Sequence, residues 1–191
     1  MKNTLTTIKV TLLSLLIASS TAFAGPSTTA AVSMKGFKIA LVKNATGTED
    51  IVSGNYLNGI NNITEDVKKS SAFEKSMGYY ESSAFDKLMG LCVANLKMNR
   101  LEKAERACTN AIKEKSGLAG RGKHNKYLKA LALSNRGIVR YQAHSPLSAI
   151  EDFTAALKLN KSQLIKSNIA ALKTSIAAHY DIEMSDTLVS E

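Results

Sequence analysis

Apolar residues recur at helical spacing through much of the chain. They form a broad stripe from Phe85 to Lys97, and from Tyr127 to Tyr141 they alternate with small residues at a similar spacing. Such spacing places apolar side chains on one face of an α-helix. Residues Ser162 to Tyr180 show a third stripe, which predicts a helix that covers the end of a helical assembly. Phe37 to Val42 fits a strand or a helix; we favour a helix, because no later segment offers a strand to pair with it.

Three segments align with one another at a constant offset of 45 residues, starting at Gly54, Asn99 and His144. Each opens with residues typical of turns. Each continues with a small residue and, four positions later, a larger one, which puts both on one helix face. The pairs are Gly59 with Ile63, Ala104 with Cys108, and Ala149 with Phe153. We therefore predict three helical hairpins, in which these segments begin the second helices. In the first hairpin, Thr46-Gly47-Thr48 interrupts the leading helix.

The third hairpin resembles a tetratricopeptide repeat (TPR). In that family a Gly of the first helix packs on an Ala of the second, with an aromatic residue four positions on. The matching residues here are Gly137, Ala149, Phe153 and Ala156. The resemblance implies an all-α fold: TPR-like helical-hairpin repeats forming an α-solenoid with a C-terminal capping helix. The first helices of such repeats would line a concave groove.

The middle hairpin is similar through Ala104 but departs at two positions. Cys92 stands where the Gly would be, and Cys108 where the aromatic residue would be. The resemblance covers about residues 85–161. TPR units repeat every 34 residues, and a 45-residue period suits HEAT-like repeats better. The Gly and Ala positions favour TPR-like pairs with a longer connection, which falls in the Gly-rich stretch around residues 115–124.

The two cysteines flank the turn-like residues Met98-Asn99-Arg100. If two antiparallel helices meet there, Cys92 and Cys108 lie at one level and can face each other. A disulfide closing this loop would stabilise the fold by roughly 3 kcal/mol on the chain-entropy estimate. Two reduced, buried cysteines are the alternative. There is no C-x-x-C motif, which argues against a catalytic dithiol.

The first 24 residues are typical of a secretory signal peptide. Lys2 and Lys9 precede an apolar run at residues 10–18, and Ala22-Phe23-Ala24 matches a cleavage site. The run is too short to span a bilayer. We predict a periplasmic or secreted protein without stable membrane insertion, cleaved near Ala24. Its parts are a signal peptide (1–24), a flexible mature N-terminus (25–36), the repeat domain (37–180) and a C-terminal tail (181–191).

Positive charge is concentrated in one stretch of the chain. The formal net charge is +9, from 25 basic and 16 acidic residues. Residues 113–140 hold eight basic side chains and one acidic one, whereas the rest of the chain after residue 24 is balanced. This basic stretch is either a solubilising surface or a site for an acidic partner. Its few aromatic residues and the predicted compartment disfavour nucleic acid.

Motifs for catalysis are weak. Gly117 to Lys123 resembles a phosphate-binding loop but lacks the following Ser or Thr and a preceding strand. His124, His144 and His179 lack metal-ligand spacing. We interpret Glu151-Asp152 as acidic residues in the first turn of a helix, where they meet the helix dipole favourably. We expect no enzyme activity, no catalytic residue, no metal and no cofactor.

The sequence thus predicts an exported, non-catalytic interaction module or scaffold that binds a protein or peptide, possibly acidic, in its concave groove. The candidate contact residues are Asn95, Lys126, Lys129, Asn135, Arg136, Arg140 and Tyr141. The alternative is an anionic envelope polymer or lipid head group bound by residues 113–140. Salt would weaken polyanion binding strongly and groove binding little.

Overall fold

The chain is mainly helical, with one β-hairpin near its N-terminus. The computed structural model describes residues 29–34, 36–70, 80–116 and 122–189. In these residues the elements are β1 (Thr29–Met34), β2 (Phe37–Val42), α1 (Thr48–Val52), α2 (Tyr56–Ser70), α3 (Tyr80–Lys97), α4 (Leu101–Glu114), α5 (Lys123–Gln142), α6 (Pro146–Leu159) and α7 (Gln163–Val189). The predicted signal peptide, its cleavage site and most of the segment Gly117 to Lys123 lie outside the described residues.

The hairpin corrects two predictions. Phe37–Val42 is a strand rather than a helix, and it pairs antiparallel with β1, Met34 opposite Phe37 and Thr29 opposite Val42. Its partner lies upstream, inside the segment 25–36 that we expect to be flexible, so a search for a downstream strand misses it. Gly36, with φ of 83°, lies in the short connection.

The last helix is longer than predicted. Helix α7 continues past the predicted end at Tyr180 to Val189, so residues 181–189 are helical rather than a tail.

The same turn joins the two helices of each hairpin. Gly54, Asn99 and His144 all have positive φ, at 90°, 56° and 58°. In each case the next residue donates its N–H to a carbonyl five positions back: Asn55 to Asp50 (2.7 Å), Arg100 to Asn95 (2.8 Å) and Ser145 to Arg140 (2.9 Å). This is the hydrogen bond of a Schellman helix end. The 45-residue offset found in the sequence is therefore a repeat of backbone geometry.

Equivalent positions also meet inside each hairpin. Gly137 faces Phe153, where a Cβ on the glycine would lie 3.1 Å from ring atom Cε2. In the first hairpin a Cβ on Gly47 would lie 3.0 Å from Cγ1 of Ile63. In the second, Cys92 and Cys108 form a disulfide with a Cα–Cα distance of 5.1 Å. One contact point between paired helices is thus built in two ways, by glycine against a large side chain and by a disulfide.

Gly137→Val should lower the free energy of unfolding by about 1–3 kcal/mol, because added methyl groups overpack the contact with Phe153. Chemical denaturation measures the loss. The double variant with Phe153→Leu should regain part of it, since the smaller side chain vacates the space that valine needs. The variant Phe153→Leu alone completes the cycle, and a loss in the double variant equal to the sum of the two single losses would show that Gly137 does not pack on Phe153.

Removing the disulfide should lower the free energy of unfolding by about 3 kcal/mol, because the unfolded chain loses the constraint on the loop between the cysteines. The variant Cys92→Ala with Cys108→Ala tests this by chemical denaturation under oxidising and reducing conditions. Reduction should destabilise the wild-type protein and leave the double variant unchanged. Wild-type unfolding that does not respond to reductant would contradict the bridge.

The strand β2 runs along the first helices of the repeats and is buried on both faces. It packs against α3, α5 and α7. Phe37, Ile39 and Leu41 are fully buried in a core cluster that also contains Ile51, Ile138 and Phe153. On the other face, Ala40 and Val42 join a cluster with Phe85, Met89 and Leu131. The strand therefore fills the side of the helical assembly where we predict an open groove.

Candidate partner-binding surface

Side chains of the helices pair with the backbone of β2 along the edge that β1 leaves open. In an antiparallel ladder alternate residues direct both backbone groups to the same side. Asn135 Oδ1 accepts a hydrogen bond from Ala40 N (2.9 Å), and Asn135 Nδ2 donates to Ala40 O (2.8 Å). Asn168 repeats this arrangement at Lys38, with distances of 2.7 and 2.8 Å. Thr48 Oγ1 donates to Val42 O at 2.9 Å.

The two asparagines take the place of a third strand. A carboxamide carries one acceptor and a donor group, and these match the N–H and C=O of one strand residue. Both asparagines are fully buried, and Asn168 Nδ2 also donates to Ser134 Oγ at 2.9 Å. Without them the backbone of Ala40 would be buried unpaired, which costs free energy. The two asparagines therefore hold the protein's own strand β2 through its main chain.

Asn135 is a predicted contact residue, and the structure places it against the protein's own strand. Asn168 is absent from the prediction. Its signal in the sequence is a carboxamide inside the apolar stripe that runs through α7. A buried amide on an apolar face needs a partner, but the sequence alone does not indicate which backbone supplies it.

Other predicted contact residues also have partners inside the fold. Asn95 is buried, and its Nδ2 donates to Leu91 O at 2.8 Å. The Tyr141 ring packs on Phe37, with 5.4 Å between ring centroids. Lys126 is exposed and Lys129 half-buried. The structure thus does not gather the seven predicted residues into one open surface.

Arg136 and Arg140 converge on Asp152. Arg136 donates from Nη2 to Oδ1 (2.7 Å) and from Nε to Oδ2 (2.8 Å), and Arg140 Nη1 lies 3.1 Å from Oδ2. Arg140 Nε also donates to Glu105 Oε1 at 2.8 Å. The side chain of Asp152 is 4% exposed. Its hydrogen bond raises the pKa of Arg136 above the usual value.

This ion-pair network changes the interpretation of Asp152. Helix α6 begins at Pro146, and its first turn contains no acidic residue. The prediction that Glu151 and Asp152 interact with the helix dipole from the first turn is therefore wrong. Asp152 instead neutralises two arginines of the neighbouring helix α5.

The basic stretch 113–140 is partly neutralised by acidic residues from other helices. Arg136 and Arg140 are paired with Asp152 and Glu105. Lys115 is buried, and its Nζ lies 5.0 Å from the centre of the Phe85 ring. Burial raises the pKa of Asp86, while the charges of Lys115 and His124 act to lower it. Lys113, Lys123 and Lys126 are exposed. A polyanion would therefore meet fewer exposed charges than the sequence suggests.

In the described part of the chain, no further strand pairs with the outer edge of β1. The sheet there has two strands, in the order β1-β2. From the register, Thr29, Ala31 and Ser33 lie opposite Val42, Ala40 and Lys38, whose backbones face Thr48 and the asparagines. The same alternation turns the backbone groups of Thr29, Ala31 and Ser33 away from β2. The sequence of β1, TAAVSM, contains no charged residue and no proline, which are the residues that usually block edge pairing.

Among the residues that the structure describes, no three His, Cys, Asp or Glu side chains are grouped so that they could hold a metal ion. None of the helices described is long and apolar enough to cross a membrane.

Comparison with known proteins gives no match to a family model, to a curated protein or to a solved structure.

Proposed function

We propose that the protein is an exported, TPR-like, non-catalytic interaction module or scaffold that binds an extended segment of a partner protein. The observation that carries this proposal is that Asn135 and Asn168 cover the outer edge of β2, whereas no described strand pairs with the outer edge of β1. The repeated turns at Gly54, Asn99 and His144 support the solenoid part of the proposal. The Gly137–Phe153 contact supports the TPR-like part.

The partner segment docks beside β1 rather than inside the groove. Phe37, Ile39 and Leu41 are fully buried core residues, so displacing β2 would dismantle the core. The open edge of β1 offers backbone donors and acceptors on one side, and a partner strand can satisfy them by extending the sheet. In this mode main-chain hydrogen bonds supply affinity and alternate side chains supply specificity.

Affinity capture from the native compartment with the wild-type protein and two variants tests this proposal. Ala31→Pro removes an N–H that faces away from β2, so it blocks edge pairing and leaves the ladder to β2 intact. Ala31→Val is the matched control, since it changes the side chain and keeps the N–H. We expect the wild type and Ala31→Val to retain the partner and Ala31→Pro to lose at least about nine-tenths of it, which corresponds to about 1.4 kcal/mol.

Repeating the capture at increasing salt separates this proposal from polyanion binding. Backbone pairing at an uncharged strand should change little with ionic strength, whereas binding through the exposed lysines should fall steeply. A partner that Ala31→Pro retains fully, or that salt alone releases, would contradict docking at β1.

A further inference from the structure

We propose that the segment bound at β1 is β1 of a second copy of this chain, so that two hairpins form one four-stranded antiparallel sheet across a two-fold axis at Ala31. This inference rests on the proposed function, because it names the partner of the same edge. Among the described residues no strand pairs with the outer edge of β1, and the proposed pairing covers that edge.

The outer edge of β2 is already covered by side chains of the same chain. Asn168, Asn135 and Thr48 pair with the backbone of Lys38, Ala40 and Val42 in turn. A second strand therefore adds at β1 alone. An uncovered edge without charges or proline is a template for pairing with another chain.

Strand β1 is compatible with a second copy of itself in one register. The outward-facing backbone groups belong to Thr29, Ala31 and Ser33, which are symmetric about Ala31. Antiparallel pairing about a two-fold axis at Ala31 places Ala31 opposite Ala31 of the second copy and Thr29 opposite Ser33 of the second copy. Since TAAVSM carries no charge, no like charges oppose each other, which would be destabilising.

The proposed contact closes on itself, so it joins two copies and no more. An isologous contact uses the same surface on both copies and ends at two. In the four-stranded sheet the inner edges pair with each other, and both outer edges are β2 strands covered by their own asparagines. The assembly is therefore a finite dimer without a free edge from which a fibre could grow.

Sedimentation velocity of the exported protein over a wide concentration range tests the dimer. We expect twice the protomer mass for the wild type and for Ala31→Val, and the protomer mass for Ala31→Pro. Circular dichroism checks that Ala31→Pro retains the helical fold. A wild-type protein that stays monomeric, or an Ala31→Pro variant that stays dimeric, would overturn the proposal.

Cysteine crosslinking tests the register independently of the proline variant. Opposite residues of an antiparallel pair have Cα atoms about 4.5–5.5 Å apart, within reach of a disulfide. Under mild oxidation Ala31→Cys should give a covalent dimer. Ser33→Cys is the control, because Ser33 lies on the same strand and faces the same side as Ala31. It should not give a covalent dimer, since the two-fold axis at Ala31 places the two cysteines four residues apart along the strands, or about 13 Å. Equal crosslinking of both variants, or of neither, would overturn the two-fold pairing.

Co-capture distinguishes failure of this inference from failure of the proposed function. A tagged copy should retain an untagged wild-type copy and lose an untagged Ala31→Pro copy. If the protein is monomeric but retains a different protein in a manner sensitive to Ala31→Pro, the second copy is wrong and the proposed function stands. If a different protein binds equally to the wild type and to Ala31→Pro, docking at β1 is itself wrong.

Discussion

Replacing Asp152 with alanine should lower the free energy of unfolding by about 3–5 kcal/mol, because it leaves two partly buried guanidinium groups without their carboxylate. Asp152 accepts a two-point hydrogen bond from Arg136 and lies 3.1 Å from Arg140 Nη1. The exposed fractions of the two arginine side chains are 16% and 22%, against 4% for Asp152. Chemical denaturation of the wild type and of Asp152→Ala measures the difference.

Glu105→Ala is the matched control for that experiment. Glu105 pairs with Arg140 through a similar hydrogen bond of 2.8 Å, but its side chain is 41% exposed. Water can replace an exposed partner, so this substitution should cost no more than about 1 kcal/mol. Losses of the same size for Asp152→Ala and Glu105→Ala would show that burial does not set the strength of these pairs.

A second control separates the ion pair from the packing around it. The double variant Arg136→Met with Asp152→Leu replaces opposite charges by apolar side chains of similar length. Such replacements of a buried pair are often neutral or stabilising, so the double variant should unfold with a higher free energy than Asp152→Ala. A double variant less stable than Asp152→Ala would mean that the aliphatic contacts of this region, rather than the unpaired arginines, dominate the loss.

The helical hairpins could be predicted because their signals are local. The αL residues at Gly54, Asn99 and His144 lie directly beside the helices that they end. Contact pairs such as Gly137 with Phe153 lie a short distance apart in the sequence. Periodicity and turn chemistry therefore locate these helices and the partners they pack against.

The position of β2 could not be predicted in the same way, because its partners are remote. Ala40 and Asn135 are 95 residues apart, and Lys38 and Asn168 are 130 apart. An apolar run of six residues does not by itself distinguish strand from helix. Which buried amide meets which backbone depends on how the hairpins stack.

The same limit applies to the charge of residues 113–140. A count along the chain pairs this stretch with Glu114 alone, whereas the fold brings Glu105 and Asp152 against it, 35 and 16 residues from their arginine partners. Arg136 and Arg140 therefore look like surface cations in the sequence and contribute to an internal network in the structure. Their role as partner contacts stays a prediction, but the charge that they would present to a partner is shared with these carboxylates.

Replacing Asn135 with leucine should lower the free energy of unfolding by about 2–5 kcal/mol, because Ala40 keeps a buried N–H and a buried C=O with no partner. Leucine has a similar volume, so packing changes little and the loss reports the hydrogen bonds. Asn62→Leu is the control, since Asn62 is exposed and its Nδ2 donates to Asp50 Oδ2 at the surface, where water can replace the lost partner. The loss should be smaller there. Equal losses would show that burial of the backbone of Ala40 is not the cause.

Asn135→Asp adds a pH dependence with a defined sign. Only a protonated carboxyl can both accept from Ala40 N and donate to Ala40 O, as the amide does. Burial and the facing carbonyl therefore raise the pKa of the introduced acid in the folded protein above its unfolded value. This variant should approach wild-type stability below the unfolded pKa and lose stability as pH rises through the folded pKa. Denaturation over a pH series measures the effect; a difference from wild type that is constant with pH would mean that this carboxyl does not face the backbone of β2.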